Sequence, residues 1–89
     1  MPNPYTVKIS ITSIKGECTL GHKVGDNWLI EGGKTVSGMC LGAWNAIYPY
    51  VRALADGGEF HWAKDKDVVS LACPDAQNPV VFELRRVRE

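Results

Sequence analysis

Residues 5 to 12 alternate, with Tyr5, Val7, Ile9 and Ile11 on one face and Thr6, Lys8, Ser10 and Thr12 on the other. A period of two over this length predicts a strand that buries one side. A loop with Gly16, Gly21, Gly25 and Asp26 follows, and Asn27 to Glu31 reads as a short second strand closed by Gly32-Gly33. These two strands are expected to pair antiparallel. The period then changes: Cys40, Trp44, Ile47, Tyr48, Val51 and Leu54 recur at helical spacing as one apolar stripe. Ser37 is the expected N-cap of a helix starting at Gly38, and Gly57-Gly58 its end. Pro49 falls inside the stripe, where it removes a backbone donor and crowds the preceding turn, which predicts a kink or two abutting short helices.

Alternation returns in Asp67 to Cys73, with Val69, Leu71 and Cys73 on the apolar face. It recurs in Pro79 to Val87, where Val80, Phe82 and Leu84 alternate with Val81, Glu83 and Arg85. Pro74, Asp75, Asn78 and Pro79 make the turn between them. The order ββαββ predicts an α+β fold, a four-stranded, mainly antiparallel sheet with one helix on one face, in a single domain spanning residues 1–89. The other face would carry Leu29, Val81 and Val87, a surface suited to a homo-oligomer interface unless the loop from Glu59 to Lys66, with Phe60 and Trp62, folds over it.

Composition narrows the function classes. Apolar residues make up 45% and charged ones 22% of the 89 residues, a balance that folds, yet so small a domain benefits from a staple or a partner copy. Ten basic residues balance ten acidic ones, so no net field favours nucleic acid or an anionic membrane as partner. The start Met-Pro-Asn-Pro-Tyr lacks a basic region leading into an apolar run, and no stretch has the roughly 18 apolar residues of a membrane span. Three cysteines are odd in number and too few for a disulfide framework, so reduced thiols and a cytoplasmic location are expected.

Candidate chemistry centres on those thiols. Cys18 and His22 form a C-x-x-x-H pair in a glycine-containing loop, and thiolate with imidazole is what zinc and iron–sulfur clusters accept. Adding Cys40 and Cys73 gives three sulfurs and one nitrogen, the count for a tetrahedral zinc site or a four-iron cluster, with a spacing that matches no metal motif. In the simplest topology Cys40 and Cys73 lie at one end of the domain. Cys18 has roughly 16 Å of extended chain after Ser13 with which to reach them. The competing reading makes Cys40 and Cys73 small core hydrophobes beside Trp44 and Leu71, and His22 a solvated loop residue. A third reading makes Cys40 a reactive thiol in the first helical turn, although neither His22 nor His61 has a fixed relation to it that would identify a base. Trp28, Trp44, Trp62, Tyr48 and Tyr50 suit a ligand pocket or the filling of a small core, and His61-Trp62 reads as a cover. Arg85, Arg86 and Arg88 read as a solvated strand end.

Three segments carry a resemblance: Gly-His-Lys-Val-Gly-Asp at 21 to 26, Gly-Met-Cys at 38 to 40 leading into Ala-Ile-Tyr-Pro-Tyr-Val at 46 to 51, and Cys-Pro-Asp at 73 to 75 with Asn-Pro-Val-Val-Phe-Glu-Leu at 78 to 84. Over nearly its whole length the chain resembles a family of short, functionally uncharacterised bacterial and archaeal proteins. In that family a cysteine recurs after the first strand, another at the helix start and a third before the Pro/Asn-Asp turn, which map onto Cys18, Cys40 and Cys73. A histidine at the position of His22 is not constant. The resemblance implies no activity. It implies a stand-alone small protein whose thiols would hold zinc or an iron–sulfur cluster, with water, a partner's residue or His22 in the fourth place.

Overall fold

The computed structural model describes residues 4–16, 21–31, 34, 38–74 and 77–87. Its elements are β1 (Thr6–Ile14), β2 (Asn27–Ile30), α1 (Leu41–Ala55), β3 (Val68–Ala72) and β4 (Val80–Val87). The strands form one antiparallel sheet in the order β2-β1-β4-β3, so the fold is α+β with the element order ββαββ. The first and last strands are the central pair, and β2 and β3 are the edges.

Alternation sets which residues the sheet buries. Val7, Ile9 and Ile11 of β1 and Val80, Phe82 and Leu84 of β4 point to the helix side and are buried with Val69 and Ile30. Register shifts between Ile11 and Ser13, so that Ser13 lies opposite Val81 and Ile14 opposite Val80. One extra residue in β1, a β-bulge at Thr12, returns Ile14 to the inner face after the polar pair Thr12-Ser13. Ile14 packs on the core as a result.

Helix α1 contributes Ala43, Ile47, Val51, Leu54 and Ala55 to that core. It runs as one element through Pro49, rather than as two abutting helices. The residue at its N-cap is Cys40, not Ser37, and the first helical residue is Leu41, not Gly38. Ser37 lies outside the described residues, as do Gly32 and Gly33 after β2. The C-terminus ends as expected at the glycine pair. Gly57 has φ +88°, its N–H donates to the carbonyl of Leu54, and the Gly58 N–H donates to the carbonyl of Ala53. This is the Schellman arrangement, which satisfies the last carbonyls of a helix and needs a left-handed residue that glycine adopts without strain. A Cβ on Gly58 would stand 2.9 Å from the Ala53 carbonyl oxygen, so this position also lacks room for a side chain.

The arginine-rich strand end is not simply solvated. Arg85 is exposed and pairs with Glu83 at 3.0 Å, but Arg86 is turned inward and only 3% exposed. Its Nε donates to Asp67 Oδ1 (3.0 Å), its Nη1 to the carbonyl of Leu54 (3.2 Å), and its Nη2 to the carbonyls of Gly58 (3.0 Å) and Lys66 (2.8 Å). The Tyr5 ring lies 5.4 Å from the guanidinium carbon. A buried cation is tolerated only when paired and hydrogen-bonded, and here one side chain ties the end of α1 to the approach to β3. Burial of Arg86 follows from parity, since it occupies the next inward position after Val80, Phe82 and Leu84.

The backbone of helix α1 comes close to β1, β3 and β4 and stands farther from β2. The inner face of β2 is therefore covered by other means. Trp28 packs edge-on against the His22 ring (5.4 Å, 87°) and tilted against Phe82 (6.4 Å). On the opposite flank of the helix Tyr50 stacks with Phe60, and Phe60 with Trp62. The loop from Glu59 to Lys66 thus carries Phe60 to the helix side.

Candidate functional site

Two regions can carry function, the thiol end of the domain and the space between β2 and α1. At the thiol end, His22 joins the loop before β2 to the start of α1: the Cys40 backbone N–H donates to His22 Nε2 at 3.1 Å. Nε2 must then be the unprotonated nitrogen, which puts the ring proton on Nδ1, the atom that faces Asp26 Oδ2 at 3.9 Å. Asp26 Oδ2 in turn accepts from the Lys23 N–H at 2.9 Å. The Cys40 side chain makes no capping hydrogen bond, and its carbonyl accepts the first helical bond, from Trp44. His22 so gives a polar partner to the residue that opens the helix.

Cys73 follows β3, with its sulfur accepting the Val80 N–H at 3.3 Å and its own N–H donating to the Val80 carbonyl. Both thiols are free, half-buried and packed on the core. They share one end of the domain: the position a Cβ on Gly42 would take lies 3.9 Å from the Cys40 sulfur and 4.0 Å from the Pro74 ring. Cys18 lies outside the described residues. Among the described residues no three His, Cys, Asp or Glu side chains converge as metal ligands. In this conformation Nε2 of His22 is engaged with a backbone donor, so His22, Cys40 and Cys73 do not by themselves present a metal centre. The structure does give Cys40 the neighbouring imidazole that spacing could not identify. That imidazole faces the backbone N–H of Cys40.

The second region follows from the placement of α1. Because the helix stands over β1, β4 and β3, a cleft opens on its β2 flank, lined by Ile30, Lys34, Trp44, Tyr48, Val51 and Arg52 among others. Trp44, Tyr48 and Val51 recur one helical turn apart and form the wall, with the Trp44 and Tyr48 rings 5.5 Å apart. Ile30 closes the floor from β2. The cavity is about 120 Å³. Tyr48 is 48% exposed, a large aromatic surface left at its mouth. Lys34 and Arg52 stand at the rim, and Arg52 Nε pairs with Asp56 at 2.9 Å.

No family model, curated protein or solved structure matches the chain. The two regions must be weighed on their geometry alone. Of the cleft residues, Trp44 and Tyr48 were legible as aromatic candidates, whereas Ile30, Lys34 and Arg52 were not. The available signal was the brevity of the second strand beside a helix nearly four times as long.

Proposed function

We propose that the chain is a small binding protein whose working surface is the cleft between β2 and α1. The observation that carries this reading is an aromatic-walled concavity on the flank where the helix backbone stands away from β2. Concave, mostly apolar sites with a few polar groups at the edge are the general form of small-molecule sites. A volume of about 120 Å³ suits one ring or a branched chain, comparable to cavities that admit benzene. Burial of such a ligand supports affinities on the order of millimolar to high micromolar. The free thiols of Cys40 and Cys73 suit a reducing, cytoplasmic setting for this role. No helix among the described residues is long and apolar enough to cross a membrane.

The test is a ligand screen by NMR on the full-length labelled protein, with single-ring and branched-chain compounds. Saturable shifts are expected at Ile30, the Trp44 indole and Tyr48. Shifts confined to other surfaces, or none with any compound of that size, would sink the reading.

A second reading has its own support. Cys40 and Cys73 share an end of the domain, His22 seats on Cys40, and the resemblance adds Cys18 as a third sulfur. Under it, the thiols hold zinc or an iron–sulfur cluster as a staple of a small core. Metal content and visible absorbance of protein purified without oxygen decide it, beside the Cys18→Ala, Cys40→Ala, Cys73→Ala triple variant. Near-stoichiometric metal lost in the variant is the outcome this reading requires; metal-free native protein removes it.

A further inference from the structure

We propose that the natural occupant of the β2/α1 cleft is a small carboxylate, its ring or branched chain held between Ile30 and Trp44 and its charge read by Lys34 and Arg52. The proposal rests on the cleft being a ligand site and adds the chemical class of what enters it.

Four observations point to an acid. The chain as a whole is neutral, with ten charges of each sign, yet among the described residues lining the cleft the charged ones are both cations and none is a carboxylate. The cations come from two separate elements, Lys34 from the segment after β2 and Arg52 from α1, so an anion in the cleft would meet positive charge from both. Arg52 Nε is paired with Asp56, which leaves the terminal guanidinium nitrogens as donors in the planar geometry that suits a carboxylate. The Lys34 side chain has no carboxylate partner among the described residues.

Size narrows the class further. The cavity holds one ring or a chain of similar bulk, so a fused ring system or a long acyl tail would extend past Tyr48 into solvent. Both cations are exposed, so their contribution is modest and screened by salt. Discrimination of about three- to tenfold between an acid and its neutral analogue is expected at low ionic strength, falling as salt is raised.

The experiment titrates the full-length protein with phenylacetate, with its uncharged analogue phenylacetamide, and with phenethylamine, following Ile30 and Trp44 resonances by NMR. Phenylacetate is expected to bind about three- to tenfold more tightly than the amide, and the amine most weakly. The double variant Lys34→Gln, Arg52→Gln should bring the affinities of acid and amide together, because it removes both cations that line the cleft. Equal or tighter binding of the amide or amine, or a preference for the acid that survives in the double variant, overturns the assignment of a carboxylate read by Lys34 and Arg52 and leaves the cleft as a ligand site of other chemistry. Failure of all three compounds to move Ile30 or Trp44 overturns the assignment and the cleft reading together.

Discussion

Arg86 shows how much of this fold can depend on one side chain. Its guanidinium reaches carbonyls from the end of α1, the turn after it and the residue before Asp67, together with the Asp67 carboxylate. Replacing it with methionine keeps the bulk and removes every donor, leaving a partly buried carboxylate and three carbonyls without this partner. A loss of about 3–5 kcal/mol of stability is expected, the usual cost of breaking a buried charge pair from one side. Lysine should not rescue it, because a single ammonium cannot reproduce the planar fork. Arg85→Met, one residue away on the solvated side, should cost no more than about 0.5 kcal/mol. Urea unfolding of the three variants checks this, and equal losses for Arg85→Met and Arg86→Met would refute the division of labour between the faces. The parity that buries Val80, Phe82 and Leu84 also buries Arg86, so the information was in the sequence. A charge-based reading of the strand end overrode it.

At the scale of elements, the strands and their faces were legible because each is a local period. Val7, Ile9 and Ile11 could hardly be placed otherwise without exposing three large apolar residues at once. The C-terminus of α1 was legible for a similar reason, since Gly57-Gly58 supplies a backbone conformation few other residues adopt. The helix start was not. Ser37 offered a local capping signal, but the opening residue is Cys40, whose N–H is satisfied by a histidine 18 positions upstream. A donor paired across that separation leaves no trace in a window of one turn. The bulge at Thr12 is intermediate: its signature, two polar residues in succession before Ile14, is visible, but its meaning depends on the register with β4. The candidate cleft was the least legible feature, because it depends on where α1 sits across the sheet. Trp44 and Tyr48 belong to the same apolar stripe as Ile47 and Leu54. Only the lateral offset of the helix from β2 separates those that line a concavity from those that fill the core.

For the whole molecule, the outward face of the sheet bears on assembly. Helix α1 covers the opposite side, and Phe60 packs on Tyr50 of the helix. Leu29 stands out 53% exposed at one edge. Outward positions across the sheet also include Val68, Val81 and Val87, with Lys8, Glu83 and Arg85 between them. A small domain with a partly apolar uncovered face gains most from a second copy, and a two-fold pairing would cover the valines of both. The charges at the centre of the face cost desolvation, so the association should be weak and concentration-dependent. Sedimentation velocity is expected to show a monomer–dimer equilibrium, and the unfolding midpoint should rise over about a hundredfold increase in concentration through mass action. Val81→Lys, at an outward position, should abolish both effects and leave the dilute midpoint near that of the native chain. A native protein that sediments as a monomer throughout, with a midpoint indifferent to concentration, would refute self-association. The outward valines would then owe their place to strand propensity alone, as β-branched residues on a solvated pleat, and the exposed Leu29 would be an ordinary surface residue with no partner to explain it.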